Sequence, residues 1–189
     1  TETALVDHAI EKGHTKEAAD NEFPLILKLP FDSERMRMST LHQYGSKWIL
    51  FVKGAPAKIT SVLSDKYKEQ IPGWLEQNRQ LASKGLRVLF FAYKVFEQNP
   101  GKIKTDAEHE LDFLGITAMI DPPREEVIEA IKQCKTAGIK IVMITGDQAL
   151  TANAIAERLF IFDEVHKVVK TGDDLSKMSE EALGKEVEK

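Results

Sequence analysis

Three consecutive residues, Thr145-Gly146-Asp147, carry the clearest chemistry in this chain. They follow the apolar run 139–144 and precede a helical pattern over 148–159, so they fall where an α/β sheet places its reacting groups, past the carboxyl end of a strand. A hydroxyl, a flexible backbone and a carboxylate at that point can hold a phosphate or order a magnesium ion. The plainer reading is a strand-to-helix turn with Asp147 as its N-cap. A second group, Lys53-Gly54-Ala55, ends the strongest strand pattern. Gly54 allows close approach of the backbone, and Lys53 can meet a phosphate or a purine edge, or simply be solvated. Arg87 opens another apolar strand and needs an anion or exposure. Phe31 lies in a polar stretch, where its ring can stack on a base or turn into the core. Glu2 can accept a hydrogen bond from an exocyclic amine, or be an ordinary helix residue.

The elements that must position these residues fall into two kinds. The first part reads as α+β with a largely antiparallel sheet. A helix is predicted over 1–12, stopped by Gly13, and a loop or short helix over 14–22. A strand over 23–29 ends at Pro30, and 31–35 form a polar turn. Strands over 36–44 and 47–52 are joined at Gly45-Ser46 as a hairpin. Pro56 begins a helix to about residue 63, and a second helix runs over 72–84 with Gly85 past its end. Strands follow over 86–94 and 111–120. Asp121-Pro122-Pro123 marks the domain boundary, since paired prolines stiffen the chain and hold the preceding residue out of the α region. Beyond it, 124–136 is amphipathic, with Val127, Ile128, Ile131 and Cys134 on one face. The run 139–144 is predicted as a parallel strand buried on both faces. A short edge strand over 163–169, a turn at Gly172-Asp173-Asp174 and a helix over 178–187 complete the reading.

Composition narrows the function. In 189 residues, 42% are hydrophobic and 30% charged, ordinary values for a globular protein with a core. The net charge of −4, with no polybasic run, argues against nucleic acid as a partner. Cys134 is the single cysteine and the five histidines show no metal-ligand spacing, which excludes a disulfide framework and a zinc site. No apolar run reaches the roughly 18 residues needed to span a bilayer. A G-x-S-x-G elbow and a P-loop are both missing from the sequence. The chain starts on Thr1 inside a helical pattern and reads as a piece of something longer.

Taken in order, several short segments resemble the cytoplasmic headpiece of P-type cation-transporting ATPases, nearest the calcium-pump-like (type II) branch. They are Thr1-Glu2-Thr3-Ala4-Leu5, Pro30 to Arg35 (PFDSER), Phe51 to Pro56 (FVKGAP), Gly85 to Leu89 (GLRVL), Asp121 to Arg124 (DPPR) and Met143 to Asp147 (MITGD). The resemblance implies a nucleotide-binding domain over 1–120. Over 121–189 it implies part of a phosphorylation domain with a haloacid-dehalogenase-like α/β fold. It implies that Phe31 stacks on adenine, with Glu2 by the amino group, Lys53 and Gly54 lining the pocket, and Arg87 reaching the phosphates. Thr145, Gly146 and Asp147 would face the transferred phosphoryl group and its magnesium, while Asp121 and Arg124 would lie at the hinge. ATP and Mg2+ are the implied ligands, with most magnesium ligands outside this chain. The implied partners are the transmembrane and actuator domains of the same pump, at the cytoplasmic face of a membrane.

Two departures qualify the resemblance. Met36 stands where the family usually has a lysine near the phosphates, so that Arg35 or Arg37 would have to supply the charge. The D-K-T-G-T segment that bears the phosphorylated aspartate does not occur in this sequence, so the chain alone is expected to be catalytically inactive. The open sheet edge left by that segment is predicted to pair with another copy as a homodimer, or to remain poorly ordered. A haloacid-dehalogenase-like phosphatase and a non-catalytic regulatory module on the same scaffold are the alternatives. The first requires a D-x-D motif after an apolar strand, which Asp173-Asp174 does not provide.

Overall fold

The hairpin at Gly45-Ser46 sets the register of the structure, a computed structural model that describes residues 1–120, 123–162 and 168–187. Gly45 has φ +59°, the left-handed conformation that a two-residue hairpin demands. It closes β2 (Arg37–Tyr44) on β3 (Lys47–Gly54), with Tyr44 opposite Lys47 and Arg37 opposite Gly54. With β1 (Leu25–Asp32), β4 (Arg87–Phe96) and β5 (Asp112–Met119), these make a five-stranded sheet in the order β1-β2-β3-β4-β5. The pairs β1–β2, β2–β3 and β3–β4 are antiparallel.

The described chain forms two compact units. One comprises residues 1–78 and 88–119, the other 79–87 and the described residues from 120 on.

Alternation along the strands gives the first unit its core. Ser39, Leu41, Leu50, Val52, Val88, Phe90 and Ala92 are buried on one sheet face, together with Ile59, Val62, Leu63, Ile103 and Leu111. Ile59 belongs to the short α3 (Pro56–Thr60), with Pro56 at its first turn as predicted. The start of α4 (Ile71–Ala82) is held by aromatic contacts. Trp74 stacks on Phe113 at 3.8 Å between ring centroids, and Phe113 meets Phe90 edge-on at 5.6 Å. On the other face, Phe23 stacks on Tyr44 and lies edge-on to Phe51. Its carbonyl accepts a 2.7 Å hydrogen bond from His42 Nδ1, which fixes that proton on Nδ1. Phe23 thereby ties α2 (Lys16–Glu22) to the sheet, and α1 (Glu2–Glu11) precedes it.

Pro30 does not end β1. The strand continues to Asp32, with irregular register between Leu29 and Asp32. β1 lies at the sheet edge, where proline's missing N–H deprives no neighbour of a bond.

In the second unit, α6 (Ala149–Arg158) packs on the segment after α4. Thr151 Oγ1 donates to the Leu86 carbonyl at 3.2 Å, and Arg158 donates to that of Lys84. Gly85, at φ +78°, has Ala154 Cβ and the Arg158 guanidinium 3.5 Å from where its own Cβ would stand. Ile131 of α5 (Glu125–Thr136), Ala156 and Leu159 are buried.

The predicted parallel strand over 139–144 is not formed. Ile139, Val142 and Ile144 are 57, 58 and 93% exposed. A parallel strand needs neighbours to satisfy its backbone and cover both faces, and the described residues of this unit contain no strand to supply them. Gly172-Asp173-Asp174 is likewise not a plain turn. It opens α7 (Gly172–Ser176), where Thr171 and Asp174 form a reciprocal capping box. The terminal helix is α8 (Glu180–Val187). The predicted edge strand over 163–169 falls largely outside the described residues, and Val168 and Val169 are not in a strand.

Candidate functional site

The end of the sheet formed by β1, β2 and β3 gathers most of the predicted ligand-facing residues. Asp32, Arg37 and Gly54 lie in one cross-strand row, and Phe31 and Lys53 each stand one residue before it. Phe31 occupies the irregular stretch of β1 and is 62% exposed, although it is one of the largest apolar side chains in the chain. Lys53 points to the face opposite the core, where its ammonium pairs with the Glu2 carboxylate of α1. The sequence places Glu2 and Lys53 in separate motifs; the fold makes them partners.

The turn between β1 and β2 is tightly specified. Asp32 Oδ1 accepts hydrogen bonds from Glu34 N at 3.1 Å and Arg35 N at 2.9 Å. Met36 takes φ +48°, a conformation unusual for a side chain of its size. Its N–H donates to the Asp32 carbonyl and its own carbonyl accepts from Ala55 N at 2.9 Å. Gly54 is needed for that approach. A Cβ there would lie 2.4 Å from the Met36 carbonyl oxygen and 2.6 Å from Arg37 Cβ. In this structure Gly54 therefore lets the protein's own turn come close.

Arg35 and Arg37 converge on Glu108, a carboxylate that sequence reasoning missed. Glu108 is fully buried. Arg35 Nη1 donates to both of its oxygens at 2.7 Å, Arg37 Nε to Oε2 at 2.7 Å and Ser39 Oγ to Oε1 at 2.8 Å. Burial pushes this carboxyl up, but the bonds from Arg35, Arg37 and Ser39 outweigh it and hold the group below its ordinary value. Arg35 Nη2 also donates to the Pro30 carbonyl at 3.0 Å. Both guanidinium groups are thus engaged within the protein. The only available sequence signal was two arginines flanking Met36 at the head of a strand that turns partly inward; their partner lies 71 to 73 residues away.

The remaining predicted residues that are described lie in the second unit. Arg87 pairs with Asp147, which joins two residues that the sequence assigns to different motifs. Thr145 Oγ1 accepts from Asp147 N at 3.1 Å, and Gly146 is exposed beside them. Asp147 is not the cap of α6; that position is Gln148, whose side chain makes no cap bond. Arg124 is the N-cap residue of α5, also without a side-chain cap bond. Asp121 lies outside the described residues.

The first unit is thus an α+β arrangement, a sheet with antiparallel β1–β4 and helices, with an exposed aromatic ring and a lysine at one end. A family model described as P-type ATPase, cytoplasmic domain N, matches residues 1–126, and the chain belongs to that family. It is 36% identical to calcium-transporting ATPase 1 of Lactococcus lactis over 198 aligned residues, covering 100% of this chain and 22% of that protein. It is 35% identical to the calcium-transporting ATPase of Bacillus subtilis, with the same two coverages. A cation-transporting ATPase of Synechocystis is 37% identical over 196 residues, again covering 100% of this chain and 22% of the relative. The chain therefore spans about a fifth of the length of these curated relatives. Among the described residues, no helix is long and apolar enough to cross a membrane.

Proposed function

We propose that this chain is the nucleotide-binding part of an ATP-driven cation pump, residues 1–120 forming the nucleotide-binding domain and 121–189 part of the phosphorylation domain. In the whole pump, ATP hydrolysis through an aspartyl phosphate would drive a cation across the membrane. The observation that carries this reading is Phe31, a large aromatic ring left 62% exposed on a turn whose backbone is otherwise fixed. An exposed ring on a fixed backbone suits the face of a purine, and Lys53 at the same end of the sheet supplies a cation for the base edge or the phosphates. Glu2, paired with Lys53, stands where an exocyclic amine can be accepted. Gly54 shapes the site from beneath, by letting the Met36 turn lie close against β3, and Arg35 contributes by holding that turn.

In the second unit, Arg87 reaches the phosphates, while Thr145, Gly146 and Asp147 face the phosphoryl group. Asp147 could give Mg2+ one carboxylate oxygen, but no group of three or more metal-ligating side chains occurs among the described residues. The ion's other ligands would come from elsewhere in the pump. Asp121 and Arg124 form the hinge. The exposed backbone of 139–144 offers an edge for strands from the rest of the pump's phosphorylation domain; pairing with a second copy is its other use, detectable as a dimer by sedimentation velocity.

The reading is tested by Phe31→Ala, examined by titration calorimetry with ATP. Loss of base stacking costs about 1–3 kcal/mol, roughly a fivefold to 150-fold weaker Kd. Unchanged affinity would exclude Phe31 from the site. Hydrolysis of ATP is not expected from this chain alone.

A further inference from the structure

We propose that Glu108 is a positioning residue for nucleotide binding: from the core face of the sheet it fixes, through Arg35, the turn that presents Phe31. This role presupposes that Phe31 meets the base. Arg35 holds both neighbours of Phe31 in the chain. Its Nη2 donates to the Pro30 carbonyl before the ring, and its backbone N–H donates to the Asp32 carboxylate after it. The guanidinium that reaches Pro30 is itself oriented by Nη1, which bridges both oxygens of Glu108. Arg37 and Ser39 hold that carboxylate against β2. A line of hydrogen bonds thus runs from β2 through Glu108 and Arg35 to the Pro30 carbonyl and the Asp32 carboxylate on either side of Phe31.

Stability alone is a poor reason for this arrangement. A buried ion pair gives up most of its attraction to desolvation, and well-packed apolar residues often do as well. What an apolar replacement would not reproduce is direction, because a planar fork and a carboxylate fix each other's orientation. Glu108 has no exposed surface and does not itself meet a ligand, so its effect on binding must pass through the turn.

The test uses the full chain and titration calorimetry with ATP and with adenosine, on wild type, Glu108→Gln, Arg35→Lys, Phe31→Ala and the Phe31→Ala/Glu108→Gln pair, with thermal melts alongside. Glu108→Gln and Arg35→Lys are each expected to weaken both ligands alike, on the order of tenfold, at temperatures where the melts show folded protein. In the double variant the losses are expected to be non-additive, the second change adding less than about threefold, because both act on one ring. A role in stability alone would move the melts but give no such coupling. Wild-type affinity in folded Glu108→Gln, or in Arg35→Lys should the glutamine variant not fold, overturns the proposal, and so do fully additive losses. Phe31→Ala binding as tightly as wild type overturns the stacking reading itself, whatever Glu108→Gln does.

Discussion

Two apolar runs of similar composition meet opposite fates in this chain. Trp48-Ile49-Leu50-Phe51-Val52 lies inside β3, flanked on both edges by antiparallel partners, with Leu50 and Val52 buried. Ile139-Lys140-Ile141-Val142-Met143-Ile144 has at least as strong a strand pattern, yet it stays outside any ladder, with Ile144 93% exposed. The difference lies in the neighbours. Side-chain preference makes a segment ready for a sheet, but the strand exists only where another backbone satisfies its N–H and C=O groups. β3 finds β2 through a two-residue turn, so its partner comes at little entropic cost. The second run has no strand beside it among the described residues of its unit.

Substitutions can break that comparison. Phe90→Ala, in the fully buried core of the first unit, is expected to cost about 3–5 kcal/mol in urea unfolding. Gly54→Ala should cost about 1–3 kcal/mol, since its Cβ would strike the Met36 carbonyl and Arg37, both tied to the turn. The same measurement on Ile144→Ala should change stability by less than about 0.5 kcal/mol. An Ile144→Ala cost comparable to that of Phe90→Ala would show that this run is buried after all.

A pH series sharpens the contrast between the units, because Glu108 belongs to the first. Its folded carboxyl is held below its unfolded value, so its contribution is fully present above roughly pH 4.5. That contribution is lost as pH falls through the lower folded value. The urea midpoint of wild type should therefore drop steeply on acidification below pH 4.5. Glu108→Gln, less stable at neutral pH, should show a flatter decline. Parallel acid limbs would remove Glu108 from the account.

Much of the first unit was legible because its signals are local. Gly45-Ser46 fixes a hairpin, Pro56 opens a helix, and Gly13 stops another. Pro30 misled because edge strands tolerate proline, and edge position is a property of the sheet rather than of the residue. The Glu108 cluster was out of reach for a related reason: an exposed and a buried glutamate look the same until β2 and the loop before β5 meet. The capping box at Thr171 and Asp174 was readable from its spacing, since a hydroxyl three residues before a carboxylate is its signature. The buried parallel strand expected over 139–144 is not formed, because an apolar pattern does not reveal whether a neighbouring backbone will pair with it. In the candidate site, Phe31, Lys53 and Gly54 stand out by residue type, whereas the Glu2–Lys53 and Arg87–Asp147 pairings emerge only in three dimensions.

The central claim is that nucleotide binds at the end of the sheet carrying Phe31, Lys53 and Glu2. Its most direct test is an NMR titration of the isotope-labelled chain with AMP-PCP. The account predicts that, at millimolar ligand, amide signals of Phe31 through Met36, Lys53, Gly54 and the start of α1 shift together along a single binding curve, while those at the Gly45 end of the hairpin stay in place. Silence at Phe31, Lys53 and Arg87 alike, or shifts confined to the Gly45 end, would contradict it.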